Sequence, residues 1–159
     1  MISAIKVEHL NPFIASTIHT FHTMVYCDVR PGKVALVPEK GARFDVSGVI
    51  GLSGMAQGTV ALSFGRITAL KIATAFTDTR VLALDDMATD AVAELANIVA
   101  GAAKRDLSDY KINISLPTVI LGDGHELVGP RDIIPMVVPF VCPHGNFHLV
   151  VRFKSGQPI

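Results

Sequence analysis

Twenty consecutive residues, Val46 to Gly65, carry no charge, and this stretch narrows most sharply what the chain can fold into. It is long enough to cross a bilayer, and Gly54 to Gly58 is a G-x-x-x-G match of the kind found where membrane helices pack. Against a spanning helix stand Ser47, Ser53, Gln57, Thr59 and Ser63, with Gly48, Gly51, Gly54 and Gly58 scattered among them. Two short strands around a Gly-rich turn account for this mixture better, so a hairpin is expected here and no membrane segment.

The flanking segments fill in around that hairpin. Asn11-Pro12 reads as a helix start, with Asn capping and Pro in the first turn. Phe13, Ile14, Ile18, Phe21 and Val25 then repeat at helical spacing, which predicts a helix from Phe13 to Met24. Strands are expected at Lys33–Val37, Arg43–Leu52 and Gly58–Phe64, followed by a short helix over Ile67–Phe76. Asp85-Asp86 opens the longest helix, reaching about Tyr110, with its acidic start and later Lys104-Arg105 suited to the helix dipole. Lys111–Leu121, with alternating Ile112, Ile114 and Leu116, reads as a strand. Ile133–Val141 and Phe147–Phe153 read as a closing hairpin around Pro143-His144-Gly145-Asn146.

The segment from Gly58 to Phe64 is weakly echoed from Gly145 to Val151. The expected fold class is therefore α+β. A mainly antiparallel sheet of about six strands, built from two similar hairpin units, packs against three helices. One domain over residues 1–159 is expected, with a tail from about 155 to 159.

Composition excludes several classes of function. Hydrophobic residues make up 50% and charged residues 18%, the opposite of a disordered chain. Fourteen basic side chains balance fourteen acidic ones, and Lys104-Arg105 is the densest basic pair, so nucleic acid is not an expected partner. Met1 to Lys6 lacks the basic start and apolar run of a secretory leader. Cys27 and Cys142 could form one bridge, but read better as buried reduced thiols, in keeping with a cytoplasmic protein.

Familiar catalytic signatures begin and then break. Gly51-Leu52-Ser53-Gly54-Met55 lacks the final Gly of G-x-S-x-G, and Gly129 stands where H-E-x-x-H from His125 needs its second His. His19 with His22, and His144 with His148, have no Cys or carboxylate at ligand spacing, so no metal site is expected.

The long helix carries the most informative pattern. Asp90, Glu94 and Asn97 fall at i, i+4 and i+7 on one face, which Gly101 continues and Lys104 closes. Val92, Leu95, Val99 and Ala102-Ala103 are expected on the opposite, sheet-facing side. Asn inside a helix costs roughly half a kcal/mol relative to Ala, and Gly about 1 kcal/mol. Helix propensity is thus given up twice on one face, as tends to happen at working sites. On the pattern alone, a working face and an idle solvated face both remain open.

The run from Asp90 through Glu94, Asn97 and Gly101 to Lys104 resembles the signature helix of the CheC/CheX/FliY family of response-regulator phosphatases. Asn11-Pro12-Phe13-Ile14 with Thr23-Met24 resembles the first helix of its CheX branch. Gly51-Leu52-Ser53-Gly54 with Gly58 resembles that branch's hairpin, and Ile114 to Ile120 with Gly122 the strand after its signature helix. A single signature helix is similar to CheX rather than to CheC, which has two. Pro117 follows Asn97 at a different interval from the Pro of CheC-type patterns and is read as a strand irregularity.

The resemblance implies hydrolysis of the aspartyl phosphate of a CheY-like receiver domain. It implies that Asn97 orients the attacking water and Glu94 pairs with the receiver's Lys. Asp90 would support the rim, and Gly101 and Lys104 would belong to the docking surface. It also implies Mg2+ supplied by the receiver, no cofactor of the chain's own, and a homodimer formed through sheet contacts. Two other readings stand beside it: a receiver-docking or scaffold module without turnover, and a small-molecule binding domain using the Gly-rich hairpin.

Overall fold

Alternation along the central strands decides which face of the sheet takes the helices. In the computed structural model, which describes residues 3–38 and 41–156, strand β4 (Ala56–Phe64) sends Val60, Leu62 and Phe64 to one face and Thr59, Ala61 and Ser63 to the other. Strand β9 (Phe147–Ser155) does the same with Phe147, Leu149, Val151 and Phe153 against His148, Val150 and Arg152. The two strands lie side by side, antiparallel, with Phe64 opposite Phe147 and Gly58 opposite Phe153. Each is the inner arm of a hairpin, β3 (Val46–Ser53) with β4 and β8 (Met136–Val141) with β9. The two expected hairpin units therefore meet at the centre of the sheet.

Outside them lie the two-residue strand β2 (Arg30–Pro31) on β8, and β5 (Asn113–Ile114) and β6 (Thr118–Leu121), which share the free edge of β3. All pairings in this sheet are antiparallel. Strands β1 (Ser3–Ala4) and β7 (Ile133–Ile134) form a separate parallel pair.

Three helices cover the apolar face: α1 (Val7–Thr20), α2 (Arg66–Thr77) and α3 (Asp86–Asp106). Phe21, just past α1, stacks on Phe147 at 4.6 Å between ring centroids, and Phe147 stacks on Phe140 at 5.1 Å. This aromatic pile joins the end of α1 to both strands of the second hairpin, in the geometry that aromatic pairs prefer. No helix among the described residues is long and apolar enough to cross a membrane.

The structure corrects several boundaries. The first helix begins at Val7, not at Asn11, and Pro12 lies inside it. Burial of Ile5, His9 and Leu10 favours the extra turn, with the His9 imidazole edge-on to Tyr110 and hydrogen-bonded to its hydroxyl at 2.6 Å. The helix ends in a wider π turn over Phe21–Val25.

The strand expected at Lys33–Val37 reduces to one bridge, Ala35 with Val137. Pro139 on β8 has no N–H to extend a ladder there, although its carbonyl accepts from Gly32 N. The strand expected from Arg43 starts only at Val46; Asp45 still bonds through its backbone to Phe64 and Gly122, and its carboxylate accepts from Arg66 N at the start of α2.

Lys111–Leu121 breaks at Ser115–Pro117, where the Ser115 hydroxyl accepts from Gly51 N in place of a backbone carbonyl. Leu116, expected to alternate inward, is 88% exposed. Ile133–Val141 is divided at Pro135 between β7 and β8. The long helix stops at Asp106, with a 3-10 turn carrying the chain to Tyr110. Ser155, assigned to a tail, still pairs with Ala56, while residues 157–159 lie outside the described residues.

Candidate active site

Helix α3 is well founded at both ends and on its buried side. The Asp85 carboxylate accepts from Ala88 N at 3.1 Å, capping the first turn, and Lys104 and Arg105 occupy the last turn. Val92, Leu95, Ala96, Val99, Ala100 and Ala103 are buried. Ala102 is only half-buried, not part of the sheet-facing stripe as expected, because α1 and α2 also pack on α3 and rotate the buried sector toward Ala96 and Ala100.

Two contacts hold the helix close to its neighbours. Gly48 on β3 sits so near that a methyl group there would lie 2.9 Å from the Val92 carbonyl oxygen and 3.1 Å from the Ala96 Cβ. From the other side the buried Ser16 hydroxyl on α1 donates to the Val99 carbonyl at 2.7 Å.

The opposite face presents the residues singled out above. At ~100° per residue, Asp90, Glu94, Asn97, Gly101 and Lys104 fall within an arc of about 80°. Asp90, Glu94 and Lys104 are exposed, while Asn97 and Gly101 are half-buried. A methyl group on Gly101 would meet nothing within 4 Å, so the surface is open at that point. Among the described residues, no hydrogen bond or ion pair engages the side chains of Asp90, Glu94 or Asn97. A carboxylate and a carboxamide about one turn apart, on a helix fixed from behind and without partners of their own, can meet a cation and a water brought by another molecule.

The residues are not all equally close. Asp90 and Glu94 share an open groove with Met87 and Ala91 of α3 and with Phe76 and Thr77 from the end of α2. Lys104 lies about 10 Å along the axis beyond Asn97, two turns away. Phe76, Thr77 and Met87 were not among the sequence candidates. Met87 stands one turn before Asp90, which is a legible signal, but nothing in the sequence brings the end of α2 against α3.

The remaining sequence candidates lie elsewhere. His22 pairs with Asp28 at 2.8 Å, both exposed, and His148 packs its ring on Phe44. Cys27 and Cys142 are buried free thiols, as expected, with their sulfurs 3.6 Å apart. Burial, together with the Cys142 partner, pushes the Cys27 thiol pKa up, so the thiolate that a nucleophile or metal ligand requires is disfavoured. Among the described residues, no group of three or more His, Cys, Asp or Glu is arranged to hold a metal ion.

Known proteins match this arrangement along most of the chain. A family model described as chemotaxis phosphatase CheX matches residues 46–141, which include α3 and the β3–β4 hairpin. The CheY-P phosphatase CheX of Thermotoga maritima is 28% identical over 150 residues, covering 92% of this chain and 96% of that protein. The crystal structure of a CheC-like superfamily protein from Shewanella sp. PV-4 superposes with a TM-score of 0.86 at 31% identity, covering 94% of this chain and 99% of that one. The CheX–CheY–BeF3–Mg2+ complex from Borrelia burgdorferi contains a chain of the same fold, with a TM-score of 0.79, 23% identity, and coverage of 94% and 99%.

Proposed function

This chain belongs to the chemotaxis phosphatase CheX family, and from that premise we propose that it hydrolyses the aspartyl phosphate of a CheY-like receiver domain. The observation that carries the reading is the pairing of Glu94, exposed, with Asn97, half-buried, on one fixed helix face where, among the described residues, neither side chain has a partner of its own.

An acyl phosphate needs little covalent help. Water attacks phosphorus, the P–O bond to the receiver's aspartyl oxygen breaks, and inorganic phosphate and a free carboxylate leave. Positioning of that water is the part a second protein can supply. The Asn97 carboxamide oxygen accepts a hydrogen bond from the water, its NH2 donates one, and the group never becomes charged. Half-burial limits its rotamers, so the water is held in line at small entropic cost. Glu94, further out, pairs with the receiver's Lys and sets the docking angle. Asp90 supports the rim of the groove shared with Phe76 and Met87. Gly101 admits the receiver's backbone, and Lys104 marks the end of the docking surface. Mg2+, which accompanies BeF3 and CheY in the Borrelia burgdorferi complex, comes with the receiver and neutralises phosphoryl charge there.

The same reading makes the chain a cytoplasmic partner of a receiver, folded as one domain over residues 1–159. It also makes the chain a homodimer through sheet contacts, which light scattering at micromolar concentration tests directly.

The experiment is phosphate release from phosphorylated receivers of the same genome, with and without the chain. Wild type accelerates release from its cognate receiver. Glu94→Lys raises KM steeply by placing a cation against the receiver's Lys, with a smaller effect on kcat. Binding without acceleration by wild type would support the docking-module reading instead.

A further inference from the structure

The face of the sheet turned away from the helices is also covered. The segments 33–38, 41–44 and 122–135 lie across it and leave a cavity of about 440 Å³, within the range of small-molecule sites. Its walls are mainly apolar and include Phe44, Leu127, Val137 and Val150. Val137 and Val150 cluster with Ala61, separately from the main core.

Most polar groups on this face are already committed. The Gly122 carbonyl only accepts, so His125 Nδ1 donates to it at 2.8 Å and leaves Nε2 as an acceptor. The Ser47 hydroxyl donates to Nε2 at 2.7 Å, and the Ser63 hydroxyl donates to Ser47 at 2.7 Å. That chain straps the covering segment to the sheet.

Arg152 is different. Its residue is only 7% exposed, and it lines the cavity. Nη2 donates to the Leu127 carbonyl at 2.8 Å, but Nε, fully buried, has no acceptor. Among the described residues it forms no ion pair; Asp132 pairs instead with Lys154 at 2.8 Å. Among the described residues, Glu126 is the one carboxylate along the lining, and it is exposed. Gly129 makes room for the guanidinium, because a methyl group there would fall 2.4 Å from Nε. Burial lowers the Arg152 pKa, but a guanidinium stays charged in proteins. Among the described residues this buried cation has no counter-charge, which is costly, and the cavity it lines has room for an anion.

We propose that this cavity binds a small organic carboxylate, its head on Arg152 and its apolar body against Leu127, Val137 and Val150. The site is separate from the α3 face, so it stands or falls independently of the phosphatase reading.

The test uses octanoate as the probe and octanol as its uncharged counterpart, with thermal unfolding of the full chain as readout. Octanoate raises the Tm of wild type in a concentration-dependent manner, and octanol at equal concentration does not. Arg152→Met keeps the stem volume, removes the charge and abolishes the octanoate shift. Should Arg152→Met fail to fold, Val150→Phe, which leaves Arg152 intact and fills the cavity, loses the shift in its place. No octanoate shift in wild type, an equal shift with octanol, or an undiminished shift in the folded variant would overturn the proposal. Stabilisation by inorganic phosphate alone would overturn the apolar-bodied ligand.

Discussion

The Ser16 hydroxyl on α1 donates to the Val99 carbonyl on α3 at 2.7 Å, in the buried seam two residues past Asn97. A helix that presents a water-positioning group has to be held from behind, and this bond is one of the holds. Ser16→Ala removes the donor while the Val99 carbonyl keeps its helical partner. The expected cost is about 1 kcal/mol, read as a lower urea midpoint at unchanged slope, with kcat close to wild type.

Gly48 provides the other hold. Adding a methyl group 2.9 Å from the Val92 carbonyl forces α3 away from β3, since neither backbone can yield locally. Gly48→Ala is expected to cost about 1–3 kcal/mol, as overpacking does. Unlike Ser16→Ala it also lowers kcat, because it displaces the turn that carries Asn97. Unchanged stability would mean that the helix has slack at this contact.

Gly101 separates stability from docking. Nothing lies within 4 Å of its missing Cβ, so Gly101→Ala gains helix propensity and raises stability by up to about 1 kcal/mol. Gly101→Trp also folds, but its ring stands on the face offered to the receiver. KM is expected to rise while the melting temperature holds. A wild-type KM in Gly101→Trp would place Gly101 outside the docking surface.

Cys27 gives a prediction in pH. Burial and its contact with Cys142 raise the folded-state thiol pKa above the unfolded value. The unfolded chain then releases its proton first as pH rises, so the stability contributed by this thiol is complete below about pH 8.5 and is lost above it. Urea midpoints of wild type should decline from mildly alkaline pH upward, and Cys27→Ala should flatten that decline. Below pH 8 the native thiol should react with disulfide reagents much more slowly than the unfolded chain.

The parts of the fold written in local chemistry were legible before the structure. The acidic start at Asp85-Asp86 and the late Lys104-Arg105 marked α3, and four scattered glycines among polar residues separated the Val46–Gly65 hairpin from a membrane span. Strand interruptions were less legible. Pro117, Pro135 and Pro139 each divide or shorten a run whose hydrophobic pattern continues across it, and what replaces the lost pairing comes from distant residues, as with Ser115 on Gly51. The start of α1 was hidden for the same reason, since the turn before Pro12 forms because His9 finds Tyr110, 101 residues away. At the site, the spacing of Asp90, Glu94 and Asn97 was visible as a helix face. The groove wall from Phe76 and Thr77, and the cover over Arg152, depend on tertiary neighbours that no periodicity encodes.

The central claim rests on Asn97, and single-turnover decay of a phosphorylated cognate receiver tests it most directly. The chain is supplied in excess, and binding to the BeF3-activated receiver is measured alongside. Wild type should accelerate decay, and Asn97→Ala should bind within a few-fold of wild type yet slow decay by on the order of 10²-fold or more, toward the receiver's own rate. Decay as fast with Asn97→Ala as with wild type, at equal occupancy, would contradict the account.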